Sequence, residues 1–499
     1  METPVKKRKV MDRRDFLKNT AGAGVAAWTA VSASRVLGAN DRLNVGLIGC
    51  GGRGTFDARL MRGTPEDIQT VANENYHDGN MDPRLKEPRN VDIMALCDCY
   101  GMKIDAAKKW APQAKTYDDF RKLLADKTVD AVIIATHDPW HAQMLIMACE
   151  AGKDVYLEKP VIYRVGEAQG MIDAVRKSKR IVQCGTQHRS ADHVKQAAQI
   201  VQSGKIGEVH WVRVWNYMGR GFGGRGQVPD STPPPDLNWD AWLGPAPKVP
   251  FNQSRLGYRS WMDYTNGIIS DYGNHRFDSV HQIMGEEIPL VVSSSALRFD
   301  KQRVGDLYDL QQATYEYPGF VMSYESNNYN GHGVGGRTAG MRYYGMRGED
   351  DRPHGMAFYG TEATLFVDRI GMELYPEPAS GGRGGRGGRR GGGDMAAAPP
   401  PPVTPTTRPE KFHMNEDEPT PLHTKYFVDH VRARTEPSPN IETGTRASTI
   451  CCIGNVAYWT GRKLKWNGAP WSFQGDGDAE ANKFLFRPYR KPWDLVKFS

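Results

Sequence analysis

Leu43-Asn44-Val45-Gly46-Leu47-Ile48-Gly49-Cys50-Gly51-Gly52-Arg53-Gly54 decides how the rest of the chain is read. A short apolar run, Val45 to Ile48, ends in Gly49-x-Gly51-x-x-Gly54, and a helix-compatible segment from Arg53 to Arg62 follows. In that order of strand, turn and helix each glycine has a mechanical task. Gly49 makes the tight turn, Gly51 lets backbone amides approach a diphosphate, and Gly54 lets the helix pack close against the strand. The phosphates then meet the positive end of the helix. In a chain with 54 glycines among 499 residues the bare pattern is weak. Its setting between strand and helix is what gives it weight.

Outward from that turn, the chain alternates strands and helices. Residues 63–90 are polar and aperiodic and read as an inserted loop. Strands are expected at Val91 to Cys97, Ala131 to Ala135, Val155 to Leu157 and Ile181 to Cys184, and helices at Met102 to Trp110, Trp140 to Ala151 and Gly166 to Lys177. Such alternation implies a parallel, doubly wound sheet, whose ligands bind at the carboxyl ends of the strands. Asp98 stands at one such end, where a dinucleotide fold puts an acid on the adenosine ribose. It lies further from the turn than the usual ~20 residues, a gap that the inserted loop explains. No arginine follows it, which favours NAD over NADP.

Composition narrows the alternatives. Hydrophobic residues make up 39% of the chain and charged ones 25%, ordinary values for a globular protein. The formal charge is +7, but residues 1–39 carry eight Lys or Arg against three acids, which leaves +2 for all that follows. Net charge therefore gives a nucleic-acid partner little support. The seven cysteines lie mainly in apolar runs, without disulfide or zinc-ligand spacing, so no metal site is expected.

Residues 1–39 read as a twin-arginine export signal. Arg13-Arg14-Asp15-Phe16-Leu17-Lys18 precedes a weakly apolar stretch, Ala21 to Ala33, too short for a stable membrane span. The basic run Lys6 to Lys9 ahead of Met11 resembles a nuclear-import tag and is read as a remnant. Twin-arginine export moves folded proteins, so the protein is expected in the periplasm or secreted, carrying a cofactor taken up beforehand.

Ala135-Thr136, His141 and Ala151-Gly152-Lys153-Asp154-Val155-Tyr156-Leu157-Glu158-Lys159-Pro160 together resemble the signature of the glucose–fructose oxidoreductase / inositol dehydrogenase / rhizopine catabolism (Gfo/Idh/MocA) family. A later Asp271-x-x-x-His275 stands in the family's order. The resemblance implies an N-terminal Rossmann domain, here 40–186, and a C-terminal α/β domain, 187–470, with an open, mainly antiparallel sheet, a substrate pocket and often an oligomer interface. A homo-oligomer is expected on that ground. Residues 471–499 form a tail that resembles exported members and has no independent physical role. By the same resemblance the NAD site comprises Gly49, Cys50, Gly51, Gly52, Arg53, Gly54, Asp98, Thr136, His141, Glu158, Lys159 and Gln187, and the Lys159–Pro160 bond is cis.

The second half agrees with that outline. A helix is expected over Ala191 to Gln202, a strand over Val209 to Val214, and further strands over Val291 to Leu297, Gln312 to Tyr317, Phe320 to Ser326, Ala357 to Gly360 and Thr364 to Val367. Residues 218–250 read as a long ordered loop beside the pocket, with Trp239 and Trp242 either stacking on a sugar or packing internally. The Gly-Gly-Arg repeats and prolines of 376–410 cannot bury a core and are expected as a disordered insertion, with RNA binding the minor alternative. Helices over Leu422 to Arg434 and Thr443 to Thr460 follow.

Oxidising a secondary alcohol needs a base, a cation for the developing alkoxide and a dinucleotide held against the carbinol hydrogen. Asp271 and His275, at i and i+4 on a helix start, point the same way. His275 is the candidate base, with Asp271 fixing its tautomer or holding a sugar hydroxyl, and Lys159 is the cation on the reacting oxygen. Which of Lys159 and His275 takes the proton is open from sequence. The small-molecule substrate is then a sugar, glycoside or polyol. Outside the cytoplasm free dinucleotide is scarce, so a tightly held, internally recycled NAD is expected. An NAD-dependent glycosidase working by transient oxidation and elimination is the alternative, and a non-catalytic carbohydrate-binding protein the less favoured one.

Overall fold

The computed structural model describes residues 42–68, 83–85, 87, 89–217, 226, 228–285, 288–330, 354–369, 371–377, 410–412, 419–468, 471–475 and 478–498. The twin-arginine stretch and nearly all of the Arg-Gly insertion lie outside them.

The first sheet is built from runs apolar enough to be covered on both faces. It contains β1 (Leu43–Ile48), β2 (Val91–Cys97), β3 (Lys115–Tyr117), β4 (Ala131–Ile134), β5 (Asp154–Leu157) and β6 (Val182–Cys184). They pair in parallel in the order β3-β2-β1-β4-β5-β6. Every residue of β4, β5 and β6 is buried, as continuous apolar strands between helical layers must be. Strand order reverses between β1 and β4, which opens a crevice at the carboxyl ends. The crossovers are α1 (Gly52–Arg62), α2 (Gly101–Lys108), α3 (Phe120–Ala125), α4 (His141–Glu150) and α5 (Ala168–Ser178). Helix α1 has no acid in its first turn and no side-chain cap, and it ends at Gly63 with φ +64° behind Arg59 and Arg62. Its positive end is thus exposed to whatever fills the crevice.

After α6 (Asp192–Gln202), β7 (Val209–Tyr217) opens the second sheet. The short α7 (Trp239–Leu243), then α8 (Ile268–Asp271) and α9 (Gly273–Met284), precede β8 (Val291–Leu297), β9 (Leu310–Tyr317), β10 (Phe320–Asn327), β11 (His354–Gly360), β12 (Ala363–Val367), β13 (Met372–Pro376) and β14 (Glu410–Phe412). The chain closes with α10 (Thr420–Ala433), α11 (Ile441–Thr460), β15 (Leu464–Asn467), β16 (Ser472–Gln474) and α12 (Asp478–Asn482). The ten strands run β14-β13-β12-β11-β7-β10-β9-β8-β15-β16. Only β7 and β10 pair in parallel, so the sheet is mainly antiparallel. Strands β9 and β10 alternate buried and open residues, as a sheet with one covered face does.

Helix α11 joins the two sheets. Asn440 caps it by accepting from Thr443 N at 3.0 Å, and buried apolar side chains run without a break from Ile134, Leu157 and Cys184 through Ile450 and Ile453 to Val292, Tyr315 and Met322. A core shared in this way resists hinging between the sheets. The ion pair Arg189–Asp278, 2.7 Å long and buried, ties the turn after β6 to α9.

Some expectations need correction. β3 was not among the expected strands; three residues on a sheet edge offer no alternation to read. β16 carries the second sheet past residue 470. β13 reaches Pro376 and β14 begins at Glu410, so the edges of the 376–410 segment belong to the sheet. Asp271 and His275 do not share a helix: Asp271 ends α8 and His275 opens α9, with Tyr272 between them at φ −107°, ψ −37°. Among the described residues no helix is long and apolar enough to cross a membrane.

Candidate active site

The two halves of the crevice are made differently, and the glycine turn is the simpler one. A Cβ on Gly54 would lie 2.1 Å from Gly49 O, and one on Gly49 would meet Ala135 O at 2.6 Å, whereas at Gly51 and Gly52 a Cβ meets nothing within 4 Å. Two glycines are thus needed for internal packing and two face open space before the uncapped end of α1. Asp98 binds the turn to β2: its Oδ2 accepts from Cys50 N at 2.8 Å and its Oδ1 from Tyr100 N at 3.0 Å. Burial raises the Asp98 carboxyl against those amides. The Cys50 amide is therefore spent inside the protein, and its side chain is buried. Cys50 is a packing residue of the turn, while Gly51, Gly52 and Arg53 face the crevice.

The second half is made of charges. Lys159 follows β5, and its bond to Pro160 is cis. Lys159 Nζ donates to Asp271 Oδ1 at 2.6 Å and to Asp271 O at 2.7 Å. Arg259 Nε donates to Asp271 Oδ2 at 3.0 Å. Burial would raise the Asp271 carboxyl, but Arg259 and Lys159 overcome it and hold the group at about 2. Asp271 in turn raises Arg259. With two ammonium protons engaged by Asp271, the third N–H of Lys159 is left for a reacting oxygen.

His275 is half-buried, stacked on His188 with ring centroids 4.9 Å apart. Its Nδ1 has no hydrogen-bond partner among the described residues. Burial, followed by Lys159, Arg369, Arg53 and Arg276, pushes its pKa well below the usual histidine range, so the ring is neutral. The expected Asp271–His275 pairing does not form, because both Asp271 oxygens are taken by Lys159 and Arg259.

Three other expected contacts turn inward. His141 is fully buried, bolted between Pro160 O (2.6 Å) and Thr136 O (3.1 Å); it cannot touch a dinucleotide. Glu158 is buried, accepting from Gln187 Nε2 at 2.7 Å, Arg53 Nε at 3.1 Å and Lys159 N at 3.2 Å. Burial raises its carboxyl, but Arg53 and Lys159 outweigh this and leave it lowered. Gln187 is buried too, and also donates to Tyr156 OH at 3.2 Å. These two position the neighbours of Lys159. Thr136 stays partly open beside the turn.

Across the crevice mouth runs a segment whose role was not legible. Gly101 N and Met102 N donate to Asp236 O and Oδ2, both at 2.8 Å, and Asn238 N donates to Cys99 O at 2.9 Å. Four residues on, His137 Nε2 donates to Trp242 O at 2.6 Å. Cys99 to Met102 follow β2 and His137 follows β4, the two neighbours of β1, so residues 236–242 pass the end of β1 where the glycine turn lies. Trp239 and Trp242 stack on each other at 4.7 Å and pack with Tyr264 and Leu243; they are packing residues. The C-terminal tail clasps this strap: Arg490 Nη1 and Trp493 Nε1 both donate to the Asp240 carboxylate at 2.8 Å. Trp493 lies edge-on to Trp140, and its carbonyl accepts from Gln143 Nε2 at 2.9 Å.

Two family models cover most of this architecture. An oxidoreductase family's NAD-binding Rossmann fold matches residues 43–186, and its C-terminal alpha/beta domain matches residues 190–339. The chain belongs to the Gfo/Idh/MocA family. The inositol 2-dehydrogenase of Salmonella typhimurium (strain LT2) is 37% identical over 120 residues, 24% of this chain and 36% of that protein. The myo-inositol 2-dehydrogenase of Thermotoga maritima is 25% identical over 228 residues, 45% of this chain and 57% of that protein. The matched part is thus less than two thirds of either relative. A levoglucosan dehydrogenase solved with NADH and levoglucosan superposes with a TM-score of 0.57 at 18% identity, over 85% of this chain and 99% of that one. An aldose-aldose oxidoreductase from Caulobacter crescentus, complexed with glycerol, gives 0.56 at 16% identity, over 85% and 100%. At these identities the two structures share the fold.

A nicotinamide dinucleotide, the cofactor named by the Gfo/Idh/MocA model, fits the residues present. Gly51 and Gly52 leave a cradle that any side chain would fill, α1 presents an uncapped positive end, and Asp98 keeps lone pairs beyond its two amide bonds. Sequence reasoning missed Arg259, His188 and Arg276. Arg259 sits in Tyr-Arg-Ser-Trp, which carries no motif, and no spacing rule would have joined it to Asp271. His188 and Arg276 adjoin residues already singled out, and that adjacency was the available signal.

Proposed function

We propose that the protein is an NAD-dependent oxidoreductase acting on a secondary alcohol of a sugar, glycoside or polyol, with a dinucleotide it keeps from one turnover to the next. The observation that carries this reading is the Lys159 ammonium, pinned by Asp271 with one N–H spare, beside the unpartnered Nδ1 of His275 at the strand ends next to the glycine turn. When bound, the nicotinamide supplies a place for the hydride. The chain's own residues manage the proton. Lys159 directs its spare N–H at the reacting oxygen. His275, kept neutral by burial and then by the cations around it, holds the hydroxyl in line. The unpartnered Nδ1 of His275 takes the hydroxyl proton while the Lys159 ammonium donates to the developing alkoxide. Arg259 and Lys159 together keep Asp271 ionised throughout.

Retention is supported by the clasped strap, held to the residues after β2 at one flank and after β4 at the other. The polyol class is supported by the inositol dehydrogenases among the relatives. NAD is favoured over NADP because Asp98, an acid, stands where a 2′-phosphate would need a cation. Export through the Arg13-Arg14 pattern belongs to the same reading, since a protein leaving the cytoplasm folded can take its cofactor with it. A mass spectrum of the supernatant from denatured, purified protein tests the reading directly: a stoichiometric nicotinamide dinucleotide is expected, and its absence together with failure to bind added NAD sinks the proposal. Assay without added NAD separates the chemistries, because keto-sugar accumulation marks a dehydrogenase and aglycone release without net redox marks a glycosidase. Arg13→Lys/Arg14→Lys retaining the precursor inside the cell tests export.

A further inference from the structure

Beside the Asp271–Arg259 pair lies a recess that none of the chemistry above uses. Its floor is made of Ser260, Ile268, Tyr308 and Asn328, all buried, and its half-buried rim includes Arg259, Arg303 and Leu307. Counted out to its open mouth it holds about 280 Å³. The Arg259 that lines it is the one whose Nε donates to Asp271 Oδ2, and Ile268 begins the helix α8 that Asp271 ends. One carboxylate and one guanidinium thus separate the recess from Lys159 Nζ.

Two polar atoms of the floor are unspent. Ser260 is 5% exposed and Asn328 4%, and neither Ser260 Oγ nor Asn328 Oδ1 has a hydrogen-bond partner among the described residues. Buried polar atoms are costly to leave in that state, so a pair of them in one recess calls for a ligand group. The hydroxyl of Tyr308 is not offered, because it donates to Asn455 Oδ1 on α11. The floor is also preformed. Gly305, with φ +102°, passes so close that a Cβ there would strike Ser260 O. Asp306 N donates to the same carbonyl at 3.0 Å, and Met262 N donates to Asp306 Oδ1 at 2.7 Å.

This inventory complements one hydroxyl group on one carbon. A hydroxyl gives a proton and accepts one: Asn328 Oδ1 can take the first, Ser260 Oγ can supply the second, and Ile268, Leu307 and the Tyr308 ring cover the carbon. The rim favours a neutral group. Its cations are already paired, Arg259 with Asp271 at 3.0 Å and Arg303 with Asp309 at 2.6 Å. A carboxylate would moreover meet Asn328 Oδ1 acceptor to acceptor.

We infer that the recess receives a hydroxymethyl arm of the substrate, and so selects a hexose ring over the pentose ring that lacks the arm and over a cyclitol, which carries every hydroxyl directly on its ring. The inference rests on the reading of the Lys159 end as the place where a sugar or polyol is oxidised, and it names which of the two.

Single-turnover reduction of the dinucleotide in the holoenzyme, followed by the absorbance of reduced nicotinamide, tests it. The probes are methyl hexopyranosides, the methyl pentopyranosides that match each ring without its arm, the corresponding methyl uronosides, and myo-inositol. A hexoside should outrun its pentose partner by about 10²-fold or more in apparent second-order rate, since the site's buried polar atoms go unserved by the shorter sugar. Ser260→Ala should shrink that ratio by about tenfold, the worth of one hydrogen bond. A merely structural change would slow both sugars and leave the ratio alone. The wild-type comparison stands even if the variant does not fold. A pentoside, a uronoside or myo-inositol reacting as fast as the hexosides overturns the proposal, as does an unchanged ratio in folded Ser260→Ala; the recess then holds water only. Failure of every glycoside to reduce the dinucleotide overturns it too. The oxidoreductase reading fails separately, if no dinucleotide binds.

Discussion

The two ends of the crevice solve opposite electrostatic problems. At the glycine turn the working groups are backbone amides: Gly51 and Gly52 face open space, α1 begins without a cap, and the nearest acid, Asp98, is occupied in holding the turn to β2. At the β5 end the working groups are side chains, Lys159, Arg259, Asp271 and His275, drawn from three separate stretches and set against one another so that one N–H of Lys159 and the Nδ1 of His275 are left for a substrate. Backbone amides do not titrate, so what they offer a ligand at the first end does not change with pH. The second is a balance of charges in a place that excludes water, and a change in one member alters all of them.

That contrast predicts a crossed pattern of mutational effects. Lys159→Ala should lower kcat by about 10³-fold while leaving dinucleotide content unchanged, because the donor to the reacting oxygen goes and the cradle stays. Steady-state rates alongside mass spectrometry of released cofactor check both halves. His275→Ala should cost about 10²-fold in kcat, again at full occupancy. If either variant loses its cofactor instead, the two ends are not separable in the way described.

Gly51→Val should do the reverse: occupancy falls, yet protein that retains cofactor turns over at near the wild-type rate. Asp240→Ala removes the carboxylate clasped by Arg490 and Trp493, and should speed release of bound dinucleotide by about tenfold, the loss of two charge-assisted or side-chain hydrogen bonds. Exchange against labelled NAD measures it. An unchanged exchange rate would mean that the strap passes the crevice without closing it.

The smallest effect concerns stability. His137 and His423 are held at about 4 and His281 at about 3, each by burial first, opposed at His137 and His423 by a backbone carbonyl. A folded value below the unfolded ~6.5 means that the unfolded chain binds more protons in between. Their stabilisation is complete above ~6.5 and is lost as pH falls towards 4, each histidine contributing a slope of up to about 1.4 kcal/mol per pH unit. Urea titrations at neutral and mildly acid pH should show that fall. His423→Gln, at a site bonded to Ser190 Oγ and Cys184 O, should remove one histidine's share of the slope.

Legibility divided along the same line. The turn, β2 and β8 were readable because their cues are local: a glycine order, an apolar run, a strand between polar breaks. Expected and observed spans coincide for Val91–Cys97 and Val291–Leu297. Asp271 and His275 were legible as functional positions but not as partners, since a helix break at Tyr272 carries no sequence mark. Arg490 and Trp493 looked like part of a tail without a task; their partner Asp240 lies some 250 positions away, and no periodicity spans that distance.

By itself the sequence determined the strand-turn-helix that opens the chain, the alternation that makes a doubly wound sheet, and the presence of a lysine, an aspartate and a histidine in a usable order. Those follow from backbone sterics and from the 2.0 and 3.6 periods of buried side chains, which act over a few residues. Only the tertiary structure decided that Asp271 serves Lys159 instead of His275, that Arg259 completes the pair, and that a strap clasped by the C-terminal tail crosses the crevice. The physical reason is that charges act through space: which cation reaches which carboxylate is settled by how the shared core on α11 brings distant segments together, after the local rules have had their say.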